Sequence, residues 1–235
     1  MQCYNVVLAL SWLQDLADGV VLYENDALMA LAEAESADAQ HETTSLASMN
    51  SIIARDLIPH LCPEQICDFG ELLQTISPLP SHKFAQIFSA GLRQRFNYES
   101  ETTTKLIMDS LRRLPRSPRN SQNLFSARCV VRGVLEVSQQ LKLELLERLG
   151  GAMPIKSAPI DLQTSPQPLK TSPSSRVSIV MNWRRITKVF RDVYHQAQQK
   201  YASRMFLHWY ENFGFGADVF AEAFETLGSV VKSYE

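Results

Sequence analysis

Apolar residues recur three and four positions apart at Val6, Val7, Leu10, Leu13 and Leu16, which predicts a helix over 5–17 with one buried face, stopped by Asp18-Gly19. Gly19-Val20-Val21-Leu22-Tyr23 is a nearly continuous apolar run rich in β-branched and aromatic residues. Such a run predicts a short strand covered on both faces, the usual condition of a parallel sheet. Glu24-Asn25-Asp26 follows it directly, so polar groups fall at the C-terminal end of that strand, where open α/β sheets bind ligands.

The Ala, Leu and Glu content of 26–39 predicts a second helix, interrupted over 41–45 by β-branched and capping residues. Leu46, Met49, Ile52, Ile53, Leu57 and Leu61 then repeat at helical spacing, predicting a helix over 46–61 that lies along one side of a sheet until Pro63 ends it. Residues 68–77 read as a short helix with Asp68 at its cap and Glu71 three positions on, a capping-box spacing that also puts both carboxylates on one side. Carboxylates at a helix start need no catalytic explanation, and capping is the plainer reading of this pair. Strands are predicted over 84–88, 126–131 and 176–181, and further helices over 101–113, 134–149, 184–204 and 217–233. Five prolines between 152 and 175 predict a long exposed loop, or such a loop interrupted by one extended strand. The succession gives α/β followed by α+β, without internal repeats.

A length of 235 residues allows one large domain or two small ones, and 45% hydrophobic with 20% charged residues describes a chain that folds. The 23 Lys+Arg against 25 Asp+Glu leave a formal charge of -2, which argues against a nucleic-acid binder. Four cysteines without a CxxC pair fit a reducing intracellular setting, and no run approaches the roughly 18 apolar residues that span a bilayer, so no membrane partner is expected. The five histidines never fall at ligand spacing, so no metal is expected, and no P-loop, GxGxxG, HExxH, GxSxG or EF-hand pattern occurs. Arg112, Arg113, Arg116 and Arg119 in LRRLPRSPR read first as a solvated loop and second as a surface for an acidic partner. The aromatic-dense stretch 200–210 reads as core plus one exposed interface edge.

The segment MFLHWYENFG (205–214), followed by DVFAEAFETLGSVVKSY (218–234), resembles the C-terminal helical region of tubulins. YNVVLALSWLQDLADGVVLYENDAL (4–28) resembles the tubulin segment that runs from the sugar-contacting loop to the asparagine that reads guanine. In correct order between them, ELLQTISPLP (71–80), CVVRG (129–133) and RVSIVMN (176–182) resemble a helix with its Pro-x-Pro turn and two strands of the intermediate domain. The resemblance covers nearly the whole chain. DFGELLQTISP and the ending VVKSYE, without an acidic glycine-rich tail, look most like delta tubulin, with epsilon tubulin or a divergent paralogue as alternatives.

The resemblance implies a remnant of the nucleotide-binding domain over 1–45, the core helix and linker over 46–67, a two-layer intermediate domain over 68–182 and C-terminal helices over 183–235. It implies that Tyr4 and Asn5 fall in the ribose-side loop, Asn25 at the guanine-reading position, Asn50 at the core helix's base contact and Leu46 where the family carries a stacking aromatic. Glu71, supported by Asp68, would act in trans on the GTP of a neighbouring subunit. The glycine-rich phosphate loop has no counterpart here, so the chain is expected to be a fragment or incomplete form whose GTP binding is weak or absent, with Mg held only by the missing part. The expected setting is cytoplasmic and cytoskeletal, at a centriole or basal body, with tubulin subunits or centriolar proteins as partners. The rival reading is a non-nucleotide-binding interaction module built from the intermediate and C-terminal regions. A third, an unrelated α/β domain, would be supported if the strand at 20–23 did not lie beside the helix at 46–61.

Overall fold

The computed structural model describes residues 2–39, 45–61, 69–91, 124–133, 160–165 and 176–235. Asp68, the helices expected over 101–113 and 134–149, the arginines of 112–119 and the five prolines of 152–175 lie outside the described residues.

Helix α1 (Gln2–Leu16) opens earlier than its apolar spacing predicts. Its buried face is Cys3, Tyr4, Val7, Leu8, Leu10 and Ser11, while Leu13 and Leu16 of the expected stripe are exposed. Tyr4 and Asn5 therefore lie in a helix rather than in a loop. Strand β1 is only Val20–Val21, and Gly19 before it is required by close approach. A Cβ there would stand 2.8 Å from Ile76 Cγ2, inside van der Waals contact, so a side chain at this position would force Ile76 to shift.

After β1 come α2 (Asn25–Ala39), α3 (Leu46–Leu61), α4 (Phe69–Ile76), β2 (Phe84–Gly91), β3 (Leu124–Arg132), β4 (Ile160–Ser165), β5 (Arg176–Trp183), α5 (Ile186–Ala202), α6 (Leu207–Glu211) and α7 (Ala217–Ser233). The strands form one mixed sheet in the order β1-β2-β5-β3-β4. β1 runs parallel to β2, and β4 parallel to β3, whereas β5 is antiparallel to both of its neighbours. Strand β4 is the extended segment that the proline-rich stretch left open.

Alternation along the strands divides the sheet into two unlike faces. On one, Phe84 of β2 joins Tyr4 and Val7 of α1, Phe190 of α5 and Phe220 and Leu227 of α7 in the largest apolar cluster among the described residues. On the other, Ala85, Ile87 and Val180 meet Leu72 and Ile76 of α4. That second face also carries Ser89, Ser126, Arg128, Arg132, Ser178 and Asn182, which bond to α3 and α4.

The polar second face changes the orientation expected of α3. Leu46 and Leu61, the ends of its apolar stripe, are 74% and 48% exposed, and the helix buries Ile52, Asp56, Pro59 and His60. A sheet surface bearing arginine and serine is matched by a polar helix face, because buried polar groups need hydrogen-bond partners. Ile52 instead packs on Leu28 and Ala32 of α2, and Tyr23, which follows β1, touches this cluster together with Met49 and Ile53. The chain just beyond β1 thus packs on the α2–α3 pair through Tyr23. The result is a mixed α/β fold, and among the described residues no helix is long and apolar enough to cross a membrane.

Candidate functional site

Helix α4 is short, and its placement depends on bonds from the sheet to its last turn. Asn182 Nδ2 donates to the Ile76 carbonyl at 2.7 Å, and Ser126 Oγ donates to the Thr75 carbonyl. These carbonyls have no partner within the helix, so the sheet satisfies them and fixes the helix rotation. With Leu72 and Ile76 turned inward, Glu71 is left on the solvent side of the first turn.

Its carboxylate is nonetheless held. Arg128 of β3, whose side chain is wholly buried, donates from Nη2 to Gln163 Oε1 at 2.8 Å and reaches Glu71 Oε2 at 3.5 Å. Gln163 of β4 turns its own Nε2 to the same Oε2, also at 3.5 Å. Both donors therefore address one oxygen of a side chain that is 56% exposed. The arrangement is a solvent-facing acid anchored from beneath by a buried guanidinium.

The other residues singled out from sequence fall in two separate places. Tyr4 is fully buried, with its ring edge-on to Tyr210 and Phe220 and its hydroxyl donating to the Met205 carbonyl at 3.1 Å. Burial raises its phenol pKa, followed by smaller effects of Cys3, Tyr210 and Tyr201. Asn5 is exposed on α1, and its Oδ1 accepts from Tyr210 at 2.6 Å. Both are thus engaged by the C-terminal segment. Asn25 starts α2 and is exposed, as are Leu46 and Asn50 one turn apart on α3. These three lie on the packed α2–α3 pair, and Glu71 lies on α4 against β3 and β4.

Beneath α3 is a buried polar layer that the sequence reading did not single out. Asp56 accepts from Ser89, and Arg176 Nη1 donates to that serine's Oγ at 3.0 Å. Ser178 Oγ donates to the Asp56 carbonyl at 3.2 Å and lies 2.7 Å from His60 Nε2. With the serine proton committed to that carbonyl, the histidine bond is made by Nε2–H, and the ring is neutral. Burial, then Arg128 and Arg132, lowers the His60 pKa to about 3. Arg132 Nη2 completes the layer on the Pro59 carbonyl at 3.1 Å.

No family model and no curated protein matches the chain. Among the described residues no group of three or more His, Cys, Asp or Glu is placed to hold a metal ion. The signal that would have found Arg128 and Arg132 is their spacing in RCVVR: four residues apart on a strand puts both on one face of an otherwise apolar segment. A buried strand with two arginines on one face demands acceptors opposite. Gln163 carries no comparable signal in its local sequence.

Proposed function

We propose that this chain is part of a delta-like member of the tubulin superfamily. In this reading it forms the last part of the nucleotide domain, the core helix, the intermediate domain and the C-terminal helices of a cytoskeletal protein of centrioles or basal bodies. Its chemical contribution is Glu71, presented to the GTP of a neighbouring subunit, where a carboxylate orients or activates the attacking water. The observation that carries the reading is Glu71 itself: an exposed acid in the first turn of α4, facing away from this chain's own core and held in one position. The resemblance of five segments in order supports it, as does the packing of Tyr23 on the cluster shared by α2 and α3. Asn25 and Asn50 are exposed and able to meet a purine edge, and since the sequence carries no glycine-rich phosphate-loop pattern, weak affinity of the chain itself for GTP is expected in this reading.

The test is hydrolysis in trans. Adding the chain to GTP-loaded tubulin heterodimers should accelerate phosphate release, and Glu71→Gln should remove the acceleration. Equal acceleration by both proteins would refute the role of Glu71. Equilibrium titration of the chain alone with GTP should show no low-micromolar binding.

One observation favours the second reading, an interaction module that needs no nucleotide. Between α5 and α6, Arg204 and Phe206 adopt φ of 55° and 62°, a region that non-glycine residues seldom occupy. This turn, α6 and the residues just after it present Met205, Phe206, Trp209 and Phe213 at 40–78% exposure. Strain that displays aromatic side chains is a feature of recognition surfaces. Nucleotide-independent binding to tubulin that is lost in Trp209→Ala would favour this reading.

A further inference from the structure

The proposed role of Glu71 leaves unexplained why an exposed glutamate should rest on a buried arginine. We infer that Arg128 and Gln163 are positioning residues, which occupy Oε2 of Glu71 and thereby present Oε1 as the water-facing oxygen. The inference rests on the reading of Glu71 as the acid acting on a neighbour's GTP.

The geometry is specific in three respects. First, the two donors do not divide the carboxylate between them. Arg128 Nη2 and Gln163 Nε2 both meet Oε2 at 3.5 Å, and among the described residues Oε1 receives no hydrogen bond. Second, the donors brace each other, since the same Nη2 also donates to Gln163 Oε1 at 2.8 Å, which fixes the amide's orientation and turns its Nε2 toward the glutamate. A three-cornered set of bonds defines the carboxylate plane better than one ion pair would. Third, the brace is rooted in rigid structure. Arg128 has 0% of its side chain exposed, and it stands two residues along β3 from Ser126, the residue that helps fix α4.

An unsupported surface glutamate samples several rotamers, and holding it still is an entropic cost. Here that ordering is already made before any partner arrives. Distances of 3.5 Å are long for charge-assisted bonds, and catalytic hydrogen bonds commonly tighten only when the complex forms. Arg128 and Gln163 then act through Glu71, and neither touches the nucleotide.

The experiment measures hydrolysis by GTP-loaded tubulin heterodimers as a function of the concentration of the added chain, for wild type, Arg128→Met, Arg128→Lys, Gln163→Leu, Glu71→Gln and the double variant Arg128→Met/Glu71→Gln. Arg128→Met should lower the maximal stimulated rate about tenfold, in line with the effect of small misplacements of a reacting group. The concentration of chain giving half-maximal stimulation should be unchanged. Gln163→Leu should act in the same direction but less. Arg128→Lys should recover part of the rate, because an ammonium keeps the charge but cannot fork between two acceptors. In the Glu71→Gln background, Arg128→Met should have no further effect.

Unchanged maximal rates in both Arg128→Met and Gln163→Leu, with Glu71→Gln inactive, would overturn the positioning role and leave the reading of Glu71 standing. Full stimulation by Glu71→Gln would overturn both. If Arg128→Met fails to fold by circular dichroism, Gln163→Leu, on a strand at the edge of the sheet, decides the question alone.

Discussion

Arg132 of β3 and Arg176 of β5 stand directly opposite one another in the sheet, with only 2% and 8% of their surfaces exposed. Like charges at facing positions destabilise a strand pair. The pair is tolerated because each guanidinium finds an acceptor from a different direction, Arg132 at the Pro59 carbonyl and Arg176 at Ser89. The carbonyl lies in the last turn of α3, where the helix dipole favours positive charge. Ser89 passes the other charge on to Asp56.

Asp56, 4% exposed, should therefore be the most sensitive residue of the layer. Asp56→Asn keeps the shape but removes the negative charge among buried arginines. A loss of about 1.5–3 kcal/mol of unfolding free energy is expected, the scale of a hydrogen bond to a charged group. Urea denaturation at pH 7.5 measures it, and a change within experimental error would show that the Asp56 charge does not stabilise the layer.

His60 makes stability depend on pH with a definite sign. Its folded pKa lies at about 3, below the unfolded value of 6.5, so between those limits the unfolded chain binds the proton and the folded chain does not. Stability from this residue is thus complete above pH 6.5 and falls as the pH drops toward 3, by at most about 1.4 kcal/mol per pH unit. His82, whose pKa burial also lowers, adds a slope of the same sign. His60→Gln can still donate to Ser178 but does not titrate, so its denaturation midpoints between pH 4 and 6.5 should vary less steeply than those of the wild type. Parallel curves would refute the assignment.

Two tyrosines predict opposite results for the same change. Tyr234, 1% exposed, accepts from the Phe84 amide at 3.1 Å and donates to the Phe84 carbonyl at 3.2 Å, pinning the end of α7 to β2. Tyr234→Phe strands both backbone groups and should cost about 1–3 kcal/mol. Among the described residues the buried Tyr23 hydroxyl has no hydrogen-bond partner, and its pKa is raised by burial and then by the Asp56 charge. Tyr23→Phe should therefore be neutral or slightly stabilising. Thermal denaturation of the two variants side by side checks the contrast.

Local pattern carried the elements better than the site. Helix α7 was legible to the residue, since Phe220, Ala223, Leu227 and Val230 are both its apolar repeat and its buried face. The repeat of α3 was equally clear, yet Leu46 and Leu61 point to solvent and Asp56 and His60 point inward. The reason lies on distant strands, where Ser89, Arg132 and Ser178 set the polarity that α3 must match. Glu71 was singled out by the resemblance, its place at the helix start pointing only to a cap, and its partners lie 57 and 92 residues away. Gln163 sits in a strand flanked by proline-rich sequence, where neither periodicity nor charge marks one polar residue above another. Mutual placement of that kind follows from sheet register.

The bond from Tyr4 to the Met205 carbonyl joins positions 201 residues apart. The face of α1 that includes Tyr4 and Val7 is covered by α5 and α7, so its cover is translated long after α1 itself. At roughly 5–20 residues per second, α1 leaves the ribosome roughly 10–40 s before that cover exists. During synthesis this face of the helix therefore stays uncovered until α5 and α7 are made, and a product ending ahead of α5 would leave the apolar face of Tyr4 and Val7 open.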